Sequence, residues 1–298
     1  MLSNSITDDI KHKFRYGNMA TKIIFVNMGV FVFFSLFYLI TFLFQQQGIY
    51  EAVLSKVEVP ASTHTLLHQP WSLLSYMFLH TGFLHILFNM LWFYWFSEIL
   101  VLFLGDKKIL PLYLIGGIAG ALFYILAYNT IPVFIPKAEV SYMLGASASV
   151  FAIVFAAATL SPDYEVRLLL FGVVRIKYIA LVALVLDIIN IPNGNAGGYI
   201  AHLGGALTGF LYIKALQSGF DAGKPFNKLL DGIATIFKPR PKVKVTYKSS
   251  HVKAAPKSPR SKSEQEKVDE ILDKISRSGY DSLTREEKDF LFHYSNKG

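Results

Sequence analysis

Four residues of the chain have the types and spacing for acyl-transfer chemistry. Ser147 sits in the step Gly145-Ala146-Ser147-Ala148, and His202 in Ala201-His202-Leu203-Gly204-Gly205. His85 and Asn89 are four positions apart, so they share a face wherever that segment is helical. A histidine that takes the hydroxyl proton of a serine turns a weak nucleophile into a strong one. Imidazole and amide N–H groups, with the backbone N–H at Ser147, can then receive the charge that develops on an attacked carbonyl oxygen. Two residues along a helix is a rotation of about 200°, so only one of Ser147 and Ser149 can face the histidine. Ser147, inside the small-residue step, is the expected nucleophile.

The elements that must hold these groups are membrane spans. Of 298 residues, 53% are hydrophobic and only 17% charged, with mean hydropathy +0.40. Soluble domains carry about 25% charged residues, so an ordinary soluble globule, a collagen-like chain and a disordered chain are all excluded. An all-α polytopic membrane protein is predicted. Six apolar stretches qualify, at 23–44, 83–104, 109–130, 140–160, about 177–191 and about 197–216, with 168–174 lying along the interface. Twenty-two helical residues cross a hydrocarbon core of about 30 Å. Spans two, four and six run the same way and carry His85, Asn89, Ser147 and His202 at one depth below the outer surface. The Gly205-xxx-Gly209 step predicts that spans four and six pack closely there.

An even number of spans puts both termini on one side, with Lys107, Lys108, Arg167, Arg175 and Lys177. Short-loop basic residues mark the cytoplasmic face, so both termini are expected there. Residues 1–20 form a cytoplasmic N-terminal segment and 21–218 the membrane domain. Residues 219–263 read as a basic flexible linker attracted to anionic lipid, and 264–298 as a two-helix cytoplasmic appendage. In the appendage Val268, Ile271, Leu272 and Ile275 share a face, Gly279 stops the first helix, and residues 282–287 make a capping-box entry to the second.

Other chemistries have less support. The chain has no cysteine, which removes disulfides, thiolate zinc sites and cysteine nucleophiles. His-Glu-x-x-His does not occur, and His64 with His68 reads as loop polarity, so no metal and no cofactor is expected. Transport through Glu98 and Asp187 would call for inverted repeats, and none is evident. Two readings of Asp187 stand: it orients His202 as a third member, or, the favoured one, it faces a water-filled opening or binds the loop backbone around 193–198. The net charge of +8 concentrates in the tail beside a membrane domain, which argues against a nucleic-acid partner.

Three motifs together resemble the rhomboid intramembrane serine proteases: the run from His80-Thr81-Gly82 to His85 and Asn89, then Gly145-Ala146-Ser147, then Ala201-His202 followed by Gly205 and Gly209. The resemblance covers about residues 20–218. It implies a six-helix bundle, a Ser–His dyad without an acid, no cofactor, and cleavage of membrane-anchored protein substrates. It assigns Ser147 as nucleophile, His202 as general base and acid, and His85 with Asn89 as oxyanion donors. The chain departs from the family at Ala148, where glycine is usual, at Phe151, where a tyrosine often stacks on the histidine, and at Trp71-Ser72, where Trp-Arg is frequent. The tail resembles short extensions on rhomboids of some bacteria, so the expected location is a bacterial inner membrane. The alternative expectation is a rhomboid-like pseudoprotease that binds transmembrane clients without cleaving them.

Overall fold

The computed structural model describes residues 6–168, 172–237 and 259–295, in two compact units divided near residue 238. In the first unit a short helix, α1 (Ile6–Tyr16), precedes the long apolar α2 (Met19–Leu43). The segment that follows, termed the outer segment after the expected orientation, holds α3 (Gln47–Leu54), the strand β1 (Val59–Pro60), α4 (Thr63–His68) and α5 (Ser72–Ser75). Then come α6 (Phe83–Leu104), α7 (Ile109–Thr130), β2 (Tyr142–Met143), α8 (Ser147–Leu160), the strand pair β3 (Glu165–Leu168) and β4 (Gly172–Arg175), α9 (Ile176–Asn190), α10 (Ala196–Gln217) and α11 (Gly223–Phe237).

Among the described residues, four stretches are long and apolar enough to cross a membrane: Met19–Leu43, Phe83–Leu104, Asp106–Thr130 and Ile176–Asn193. The other two members of the bundle differ for physical reasons. Helix α10 has 22 residues, but five glycines dilute its hydropathy. Helix α8 has 14 residues, a length of about 21 Å against a hydrocarbon core of about 30 Å. The sequence-based expectation of a span over 140–160 is therefore corrected. Residues 142–143 pair as an antiparallel strand with 59–60, and Gly145 adopts φ +130°, a backbone region that disfavours a side chain. The helix can begin only after that turn. Its N-terminus is thereby placed within the bundle.

The bundle closes on small residues. Helix α8 is central, packed against α6, α7, α9 and α10. A Cβ added at Gly205 would lie 2.1 Å from the Ala148 carbonyl oxygen, and one at Gly209 would lie 2.1 Å from that of Ala152. On the other side, a Cβ at Gly116 would come within 2.3 Å of the Ala152 methyl. Backbones meet where side chains are missing, which is how apolar helices gain van der Waals contact without a hydrophobic driving force. The expected contact of the Gly205-xxx-Gly209 step with the serine helix is present.

The outer segment is tied down by directed hydrogen bonds. Trp71 Nε1 donates to the Lys56 carbonyl at 2.7 Å, Ser75 Oγ to that of Val57 at 2.7 Å, and Asn129 Nδ2 to that of Ala61 at 2.8 Å. Tyr76 and Tyr113 exchange phenolic bonds between the segment and α7, Tyr76 Oη to the Gly117 carbonyl and Tyr113 Oη to that of Met77. At the opposite end Asn18 caps α2, accepting from the Thr21 amide, and its amide donates to Glu98 Oε1 at 2.7 Å. Glu98 thus anchors a helix start.

A second correction concerns 223–237, read from sequence as part of the linker. Those residues form α11, tied back by an Asn227 Nδ2 bond to the Lys107 carbonyl and by the ion pair of Asp221 with Lys108. Phe226, Leu229, Leu230 and Ile233 follow an i, i+3, i+4, i+7 pattern that the count of lysines obscured. The rest of the expected linker, 238–258, lies outside the described residues.

The second unit pairs α12 (Pro259–Ser278) with α13 (Arg285–Ser295), so the first helix starts five residues earlier than expected. Gly279 turns the chain at φ +78°, and Val268, Ile271 and Leu283 are buried. Thr284 and Glu287 form a reciprocal cap: the Thr284 amide donates to Glu287 Oε2 at 2.7 Å, and the Glu287 amide to Thr284 Oγ1. Lys274 Nζ reaches both Glu287 oxygens at 2.9 Å. The Thr284 amide, then the Lys274 ammonium, hold the Glu287 carboxyl below its usual range.

Candidate active site

Ser147 is the first residue of α8, so its N–H has no acceptor inside the helix and lies at the positive end of the helix dipole. Its side chain opens onto a cavity of about 830 Å³. Ser149, on the other face, is buried against α7, its Oγ 3.9 Å from Met77 Sδ and 2.6 Å from where a Gly117 Cβ would stand.

His202 lines the same cavity from α10. Its ring stacks on Phe151, one turn beyond Ser147 on the same face of α8, at a centroid distance of 4.3 Å and an angle of 16°. Phe151 thus supplies the stacking platform without a hydroxyl. Tyr199 meets the other aspect of the ring edge-on at 6.2 Å. Among the described residues no hydrogen bond closes between Ser147 Oγ and a His202 nitrogen. The two groups face one cavity, and such contacts are commonly loose until substrate is bound.

The His202 Nδ1 contact corrects the expectation for Asp187. Asp187 Oδ2, from α9, stands 2.8 Å from Nδ1, and the two side chains are 12% and 13% exposed. The two residues are 15 positions apart on different helices, and no local spacing in the sequence announces the pair.

From α6, His85 and Asn89 complete the polar part of the wall. Asn89 Nδ2 donates one N–H to its own helix, to the His85 carbonyl at 2.9 Å, which leaves the second N–H for a ligand. The His85 imidazole lies over the turn before Ser147: a Cβ at Gly145 would be 3.1 Å from its Cε1. Gly145 is needed there twice, for its φ and for this approach. Behind His85 sits the buried His80 ring, 5.0 Å away and edge-on. Burial, with His85 adding to it, pushes the His80 imidazole down to about 3, so it stays neutral at physiological pH. His64 and His68 remain in the outer segment, where His68 Nδ1 donates to the His64 carbonyl.

The departure at 148 has a local explanation. The Ala148 methyl is buried against Gly120, where an added Cβ would meet it at 2.4 Å. A glycine on α7 leaves the room that an alanine on α8 uses.

The cavity is bounded by Leu84, Phe88 and Trp92 of α6 on one side and Tyr178, Val182 and Leu186 of α9 on the other. Leu84, Phe88, Val182 and Leu186 are all more than half exposed, so the mouth is apolar. A second cavity, of about 880 Å³, shares His85 and is walled by the outer segment and the turns before α8 and α10. Glu58 borders it, its carboxyl raised above the usual range by burial.

Comparison with known proteins bears on this site. The Rhomboid domain family matches residues 67–218, and a family of unknown function, DUF6576, matches 259–297. "RHOMBOID-like protein 12, mitochondrial" of Arabidopsis thaliana is 28% identical over 157 residues, 50% of this chain and 47% of that protein. "Presenilin-associated rhomboid-like protein A, mitochondrial" of Danio rerio is 34% identical over 139 residues, 46% of this chain and 35% of that protein. The chain therefore spans about half or less of the length of these relatives. Both carry mitochondrial names, which lends no support to the expected bacterial inner membrane. The match over half of the chain, on an all-α polytopic bundle, makes this integral membrane protein a member of the rhomboid family.

Proposed function

We propose that the chain is an intramembrane serine endopeptidase that cleaves membrane-anchored proteins. The observation that carries this reading is the placement of His202, stacked on Phe151 and facing, across one cavity, a serine at a helix N-terminus. His202 takes the Ser147 hydroxyl proton as Oγ attacks the scissile carbonyl carbon. The carbonyl π pair moves to oxygen, where the Ser147 N–H, the free Asn89 N–H and the His85 imidazole receive it. Collapse breaks the C–N bond, His202 returns its proton to the leaving amine, and water repeats the cycle on the acyl-enzyme. No cofactor enters this sequence.

The apolar mouth between α6 and α9 suits a substrate that arrives within the bilayer. Lys107, Lys108, Arg175 and Lys177 support a reading in which the α6–α7 and β4–α9 connections and both termini are cytoplasmic, with the basic residues after 218 attracted to anionic lipid there. A second reading, a client-binding rhomboid without cleavage, draws on the open Ser147–His202 contact. Cleavage of a single-span reporter by the purified chain in liposomes decides between them. Activity abolished by Ser147→Ala supports the peptidase; binding of the reporter without cleavage supports the alternative.

A further inference from the structure

We propose that Asp187 is a positioning residue for His202, so that catalysis uses a Ser147–His202–Asp187 triad where the family implies a dyad; the inference rests on the peptidase reading above. The Oδ2–Nδ1 contact is 2.8 Å, between two side chains largely withdrawn from solvent. An ionised carboxylate can only accept, so Nδ1 carries the proton and the neutral ring keeps its lone pair on Nε2. Stacking on Phe151 sets the plane of the ring but leaves open which edge turns toward the cavity. The Asp187 bond selects the edge. When Nε2 takes the serine proton, the negative charge at Asp187 stabilises the imidazolium and remains ionised.

A purely structural role makes a different prediction. If Asp187 only clipped α9 to α10, its loss would loosen the mouth and change KM and thermal stability. A positioning role falls on kcat. In liposomes with a single-span reporter, Asp187→Asn of the full chain should lower kcat by about 10²-fold or more, toward the ~10⁴ of a neutralised triad aspartate, with KM within about threefold. Asp187→Glu, which keeps a carboxylate, should recover part of the loss. A second measurement needs no variant: nitrogen NMR of histidine-labelled wild type should find the neutral His202 ring protonated at Nδ1. Retention of more than about a tenth of kcat by folded Asp187→Asn, or a ring protonated at Nε2, overturns the triad while the peptidase reading stands. A wild type that cleaves no faster than Ser147→Ala overturns both.

Discussion

Helices α10 and α9 hold the two ends of one hydrogen bond, yet they are built in opposite ways. Helix α10 is jammed against α8 through Gly205 and Gly209, and ten of its residues are buried. Helix α9 buries Ile176, Ala180 and Asp187 and turns Leu181, Val182, Val185, Leu186, Ile188 and Ile189 outward. His202 therefore stands on the closely packed side of the cavity and Asp187 on the more exposed side. The spacing of Ser147 and His202 is set by backbone contact that tolerates no added atom. The acid comes from a helix whose surface is free to meet lipid or substrate.

That contrast can be broken most severely at α10. Gly209→Val would drive side-chain atoms into the Ala152 carbonyl and the Ala156 amide, both closer than 3 Å to an added Cβ. A loss of about 3 kcal/mol or more is expected, seen as a lowered Tm in detergent together with loss of cleavage. Asn89→Ala, on the third wall of the cavity, is expected to lower kcat by about 10²–10³-fold with little change in Tm, if its second N–H has the proposed oxyanion role. Unchanged kcat would remove Asn89 from that role. The smallest effect belongs to α9: Val185 is 44% exposed, and Val185→Ala should shift stability by less than about 0.5 kcal/mol. A large loss there would show that α9 packs more tightly than its exposed face implies.

The same contrast explains what could be read in advance. Helices α6 and α7 begin and end where the apolar runs do, because Gly82 and Gly105 interrupt the chain and no strand competes. Ser147, His202, His85 and Asn89 were legible as types at chemical spacing, flanked by small residues that the close contacts require. The start of α8 was not, since hydropathy alone does not separate a short strand and a glycine turn from the first turns of a helix. Helix α11 is hard to read because its 3.6-residue period lies within a stretch whose overall composition is basic and polar. Asp187 is the instructive case. Its partner lies on another helix, and an acid at a span end has several bland uses, so only the packing of α9 beside α10 reveals the bond.

The most direct test is the site of labelling by a fluorophosphonate probe, which reports a base-activated serine without need of a known substrate. The two serines of α8 supply the internal control, since Ser149 is buried against Met77 while Ser147 opens to the cavity. The label is expected on Ser147, read by peptide mass spectrometry, lost in Ser147→Ala and in His202→Ala, and kept in Ser149→Ala. An unlabelled wild type that is well folded, or a label that persists in Ser147→Ala, would contradict the assignment of Ser147 as a nucleophile activated by His202.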